Sequence, residues 1–109
     1  YIACGTTDLR RGIEGLAAII RFQFQLDPYD KNTLFLFCGK RNDRIKGLLW
    51  EGDGFLLIYK RLDNGAFNWP RKLSEALEIT PEQYRALMQG FEIIAKRPIS
   101  EVENPPRAM

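Results

Sequence analysis

The chemistry open to this chain is set first by a missing residue: none of its 109 residues is a histidine. General acid–base work near neutral pH, the commonest zinc ligand and every Ser/His/Asp or Cys/His nucleophile arrangement go with it. Carboxylates remain. Asp8, Asp43, Glu51, Asp53 and Asp63 would suit a metal-dependent nuclease only if several of them converged on one ion pair. Glu51 and Asp53 share a turn, but Asp beside Gly is ordinary turn chemistry. A restriction-nuclease-like strand would carry an acidic-x-Lys triplet, and here the triplet reads Arg44-Ile45-Lys46. A nuclease built on Asp8, Glu51 and Asp53 is therefore the third-placed reading. Cys4 and Cys38 lack paired CxxC spacing, and each ends an apolar run before a glycine. They read as buried thiols of a reducing compartment, the cytoplasm. Gly52-Asp53-Gly54 lacks the third glycine and the following helix of a nucleotide fingerprint. The expectation is no catalytic residue, no metal and no cofactor.

Positive charge is the other resource. The net charge is only +2, which excludes a uniformly basic coat for nucleic acid. The distribution is uneven. Residues 1–39 hold four basic and four acidic groups, residues 40–72 eight and four, and residues 73–109 four and six. Lys40, Arg41, Arg44, Lys46, Lys60, Arg61, Arg71 and Lys72, with Tyr59 and Trp69, form a set that suits phosphates and stacked bases. An acidic protein partner fits the same charges, and so does a solvated sheet edge guarded by Lys and Arg.

The elements that must position these groups follow from periodicity. One domain accounts for the length, over residues 1–97, with 98–109 an extended or disordered tail. Tyr1–Cys4 reads as the end of a strand, and the opening at Tyr1 instead of Met suggests missing N-terminal residues. Asp8 or Thr7 caps a helix whose apolar stripe is Leu9, Ile13, Leu16, Ala17, Ile20 and Phe24. The helix ends before Asp27-Pro28. Leu34–Cys38, Arg44–Trp50, Phe55–Leu62 and Ala66–Trp69 then read as strands separated by Gly-Asp and Asn-Gly turns. Leu73–Ile79 fits neither period. Thr80-Pro81-Glu82-Gln83 starts a helix with a capping box, and Gly90 ends it. The fold class is α+β: an antiparallel meander of four to five strands packed against an N-terminal helix, with a short C-terminal helix. No run approaches the length of a membrane span, and no signal peptide is visible.

Strand parity sorts the faces. A two-residue turn at Gly52-Asp53 or Asp53-Gly54 puts Arg44, Lys46, Leu48, Trp50, Phe55, Leu57, Tyr59 and Arg61 on one face. Ile45, Gly47, Leu49, Leu56, Ile58, Lys60 and Leu62 take the other, with Phe67 and Trp69. The second face is the more apolar and is assigned to the helix-covered core. The first is basic at the end away from the Gly52 turn.

The stretch Ala3-Cys4-Gly5-Thr6-Thr7-Asp8-Leu9-Arg10-Arg11-Gly12-Ile13-Glu14-Gly15-Leu16 resembles the opening of the small accessory proteins of sixty-six-type bacterial insertion sequences. These are the second-reading-frame products, usually called TnpB and unrelated to the RNA-guided nucleases of that name. The resemblance continues through Asp27-Pro28, Leu34–Phe37, Arg41, Asp43-Arg44-Ile45-Lys46, Leu49-Trp50 and Gly52–Phe55. It then takes in Lys60-Arg61-Leu62, Gly65-Ala66-Phe67, Trp69-Pro70 and the helix from Thr80 to Gly90. Gly47 departs from the pattern. The resemblance implies a role in transposition beside a larger transposase that carries the DNA-cutting chemistry. Arg11, Arg44, Lys46, Arg61 and Trp69 match its recurring basic and aromatic positions. The leading reading is a non-catalytic factor that binds DNA at insertion-sequence ends, with the transposase and other element-encoded proteins as partners and no membrane. Its candidate contacts are Arg11, Lys40, Arg41, Arg44, Lys46, Tyr59, Arg61 and Trp69. The alternative is a protein-interaction module without direct DNA contact.

Overall fold

A computed structural model describes residues 1–93, so the tail expected at 98–109 lies outside the described residues. The elements run β1 (Ile2–Ala3), α1 (Ile13–Ala18, continued by a π turn over Ile19–Gln23), β2 (Leu34–Cys38), β3 (Arg44–Trp50), β4 (Phe55–Arg61), β5 (Ala76–Leu77) and α2 (Pro81–Met88). The α+β class is as expected. The five strands form one mixed sheet in the order β4-β3-β2-β1-β5. β1 runs parallel to β2, and every other pairing is antiparallel. Among the described residues no helix is long and apolar enough to cross a membrane.

The central hairpin follows the parity reading. Trp50 pairs with Phe55 and Arg44 with Arg61, while the Glu51 N–H donates to the Gly54 carbonyl at 2.9 Å. Gly52-Asp53 is thus the two-residue turn. Gly52 has φ 97°, the left-handed conformation that a type II′ hairpin asks of its first central residue. The capping box of α2 is also present. Gln83 N–H donates to Thr80 Oγ1 at 3.1 Å, and Thr80 N–H to Gln83 Oε1 at 2.8 Å.

Three expectations are corrected. Ala66–Trp69 is not a strand. Its alternation is real, since Phe67 and Trp69 are both buried, but it runs across a sheet face and leaves β4 as an edge. Phe67 N–H donates to the Asn42 carbonyl at 2.7 Å, and Trp69 Nε1 to the Ala3 carbonyl at 2.9 Å. The edge position beyond β1 goes instead to β5, in the segment that fitted neither period. Second, neither Thr7 nor Asp8 caps α1. The Asp8 carboxylate is taken by the backbone N–H and guanidinium of Arg10, and α1 starts only at Ile13, after Gly12, with no side-chain cap.

Third, both faces are core, and α1 covers the first face, not the second to which the helix cover was assigned. Leu16 and Ile20 of α1 pack on Ala3, Phe35, Phe37 and Leu48, with Ile13, Ala17, Phe24 and Leu57 around them. The opposite face holds Ile2, Cys4, Leu36, Cys38 and Ile45 beneath Phe67, Trp69, Ile93 and Leu87 of α2. A sheet whose central strands are apolar on both sides needs two covers, and here α1 supplies one and the 67–69 segment with α2 the other. The edge of the second face stays uncovered, with Leu56 42% and Ile58 39% exposed.

Ile58 lies over Gly47. A Cβ at Gly47 would sit 2.6 Å from Ile58 Cγ1 and 3.1 Å from Leu36 Cδ2, too close for any side chain without movement. Gly47→Ala should lower stability by about 1–2 kcal/mol in urea unfolding, the usual cost of overpacking. In an Ile58→Ala background the penalty should shrink by about 0.5 kcal/mol or more, the coupling expected of residues in contact. Strictly additive penalties in that cycle would show that the Ile58 contact does not set the requirement for glycine.

Candidate nucleic-acid interface

On the α1-covered face, β3 and β4 outrun the helix. Cross-strand neighbours Lys46 and Tyr59, and Arg44 and Arg61, fall at the end α1 does not reach. Two connections border them: the loop from Thr6 to Arg10, and the β2–β3 turn with Gly39, Lys40 and Arg41. Together they enclose an open groove of about 880 Å³ whose floor is Arg44, Lys46, Leu57 and Tyr59, with Leu9 at its side.

The cations in this groove are not equivalent. Arg44 Nε donates to Asp43 Oδ1 at 3.0 Å and its Nη2 to Oδ2 at 3.3 Å. That hydrogen bonding holds the Asp43 carboxyl below its ordinary range. Arg10 makes the same kind of fork to Asp8. Its side-chain hydrogen bond, then its backbone N–H, bring Asp8 down from 3.8 to about 2. The sign follows from the depressed value: the fork is complete above the ordinary carboxylate pKa and is lost only as pH falls through about 2. At neutral pH both guanidiniums are therefore partly neutralised. Lys46 Nζ donates to the Arg11 carbonyl at 3.0 Å, a neutral acceptor that leaves its charge uncompensated. Among the described residues Arg10 and Arg44 are the cations in ion pairs. Lys40 and Arg41 are exposed on the turn.

The remaining expected contacts divide. Arg61 is exposed, opposite Arg44 at the end of β4. Arg11 is exposed as well, but its stem lies over Gly15; both flank the groove without lining it. Trp69 does not belong to the site. It is only 5% exposed, in the core of the other face, where its indole N–H is committed to Ala3. Lys60 also points to that other face, paired with Ile45. Asp8 lies at one end of the groove, whereas Glu51 and Asp53 lie at the far end of β3. No three Asp, Glu, Cys or His converge among the described residues.

Arg71, read as one more surface cation, is a structural clamp. Its Nη1 donates to the Gly5 carbonyl at 2.7 Å and to Thr6 Oγ1 at 3.1 Å. Nη2 reaches the Gly39 carbonyl at 2.7 Å and Cys38 Sγ at 3.4 Å. Nε meets Asn42 Oδ1 at 3.1 Å, and Nη2 reaches the same oxygen. Both groove walls are thus anchored to one guanidinium. Burial pushes the Cys38 thiol up, with the Arg71 charge opposing it. Cys4 and Cys38 are both buried free thiols. Arg10, Thr6 and Thr7 complete the lining; the Asp-x-Arg spacing at Asp8 and Arg10 was the one sequence signal for the fork.

The fold and groove define a small α+β protein with a basic groove on one sheet face. Residues 1–98 match the family described as IS66 Orf2 like protein, and the chain belongs to that family, the accessory proteins of an insertion sequence. Two relatives come from Sinorhizobium fredii (strain NBRC 101917 / NGR234). Uncharacterized protein y4jC is 35% identical over 91 residues, covering 84% of this chain and 77% of its own length. Uncharacterized protein y4hO is 38% identical over 92 residues, covering 84% and 79%. No solved structure matches the chain.

Arg71→Lys keeps the charge but not the planar fork that reaches several acceptors at once. It should cost about 2 kcal/mol in urea unfolding, in line with lost charge-assisted hydrogen bonds. Amide exchange at Thr7, whose N–H donates to the Cys38 carbonyl across the two connections, and at Gly39, whose N–H donates to the Arg44 carbonyl at the base of the β2–β3 turn, should accelerate. Wild-type stability and exchange in this variant would show that the walls do not depend on the fork.

Proposed function

We propose that the protein is a non-catalytic accessory factor of transposition that binds DNA at the insertion-sequence ends through the groove, in company with the transposase. The observation that carries this reading is the composition of one concave surface: Arg10, Lys40, Arg41, Arg44 and Lys46 against the single acid Asp8. Guanidinium and ammonium groups held on strands and a clamped turn are suited to phosphates. Such contacts supply affinity through release of condensed counterions. The missing histidines and the scattered carboxylates give no support to a chemical step. The family supplies the setting of transposition.

A second reading is favoured by a separate observation. β4 is an edge strand with Leu56 and Ile58 exposed on the face away from the groove, a surface suited to a protein partner such as the transposase. That contact and the DNA contact lie on opposite faces and are compatible.

The test is fluorescence anisotropy with labelled element-end DNA, presented both as duplex and as its separate strands. Three phosphate contacts by Lys40, Arg41 and Lys46 predict an affinity that falls about 20- to 40-fold between about 50 and 200 mM salt. Replacing all three by alanine should flatten the salt slope by about one per cation removed. No binding at low salt would eliminate the DNA contact. If a nuclease-treated transposase pull-down still captured the protein, the purely protein-binding role would stand in its place.

A further inference from the structure

We infer that the groove is built for an unpaired nucleotide, with Tyr59 as the stacking platform, and so favours single-stranded or locally opened DNA over intact duplex. This rests on the DNA reading above and specifies its substrate.

The argument begins with where Tyr59 lies. It is 54% exposed, although the same sheet face is sealed by α1 a few residues away. Apolar and cationic groups surround it: Leu57 two residues away on β4, Lys46 opposite it on β3 and Arg44 next along β3, with Leu9 also in the groove lining. An aromatic and aliphatic floor with ammonium and guanidinium groups around it is the layout that takes a base on the floor and its phosphates at the rim. The cations sit around the ring: Lys46 is on the sheet with Tyr59, and Arg10, Lys40 and Arg41 are on the two connections that line the groove. A duplex keeps its bases stacked inside. A strand with an unpaired base lays a ring on Tyr59 while its backbone stays among the cations.

Magnitudes decide between the two forms. Counterion release favours duplex, with slopes of about 0.9 against 0.7 per phosphate; for three contacts that is about sixfold in affinity at 50 mM salt relative to 1 M. Stacking one base on an aromatic side chain is worth about 5- to 150-fold. A single productive stack on Tyr59 therefore outweighs the duplex advantage over most of that range. Trp69 is locked in the core of the other face and adds nothing, which places the whole stacking contribution on one residue.

The experiment compares a short labelled oligonucleotide of mixed sequence, as single strand and as duplex, with the wild-type protein, Tyr59→Ala and Tyr59→Phe. The single strand should bind more tightly to the wild type. Tyr59→Ala should lower its affinity about tenfold, within the stacking range, and lower duplex affinity by much less. Tyr59→Phe, which keeps the ring, should restore the preference. Tighter binding of duplex, or an equal loss for both forms in Tyr59→Ala, would overturn the inference while leaving DNA binding intact. Failure of both forms to bind would overturn the DNA reading itself and this inference with it.

Discussion

Both connections that line the groove depend on where one guanidinium is held. Arg71 follows the segment that crosses the sheet and donates to Gly5, Thr6, Cys38, Gly39 and Asn42. These acceptors lie on the connection after β1, the end of β2 and the β2–β3 turn. The sheet alone would not fix those pieces, since β1 and β5 are two residues each and two-residue strands form few ladder bonds. The crossing segment is secured from several directions. Gly5 N–H donates to the Pro70 carbonyl, Phe67 N–H to Asn42, and Trp69 Nε1 to Ala3. Charge-assisted bonds from a planar fork impose direction as well as energy, so the two loops carrying Arg10, Lys40 and Arg41 share one reference point.

The hairpin of β3 and β4 was legible because two independent rules agreed. Side-chain parity and the two-residue turn together put Arg44 and Arg61 on one face, and either register of the turn preserves the faces. Arg44, Lys46 and Tyr59 were found together for that reason. Ala66–Trp69 misled because alternation reports which side chains are buried, not what the backbone pairs with. Phe67 and Trp69 point inward from a segment lying over the sheet, which yields the same pattern as a strand within it. The pairing of β5 was illegible for the opposite reason: Ala76 and Leu77 are too short a run to show any period. Arg71 was visible as a charge, but its role depends on acceptors 29 to 66 residues away in sequence, and no local signal encodes those.

Charge counting shows the same difference between local and global statements. A net +2 is compatible with a concentrated site because acids and bases are sorted by position. Two of the groove cations have their own carboxylate neighbours, and these neighbours remain ionised well below neutral pH. The forks cost Arg10 and Arg44 part of their field and fix their orientation in return, since surface pairs of this kind contribute little to stability themselves. Lys40, Arg41 and Lys46 keep the field. The groove thus combines two oriented guanidiniums with three less encumbered charges, a mixture that counting residues along the chain does not reveal.

The late start of α1 is what opens the groove. Had Asp8 capped the helix, residues 9–12 would have belonged to α1 instead of to the loop that borders the groove. Instead the Asp8 carboxylate is engaged by Arg10, a competition typical of short polar side chains near a helix start. The chain from Thr6 to Gly12 stays a loop, with the Arg11 carbonyl turned to Lys46. Leu9, which the helical stripe would have placed in the core, instead lines the groove while still touching the core's edge. The hydrogen-bond partner taken by one carboxylate therefore goes with the loop conformation that puts Leu9 in the groove lining instead of on a helix.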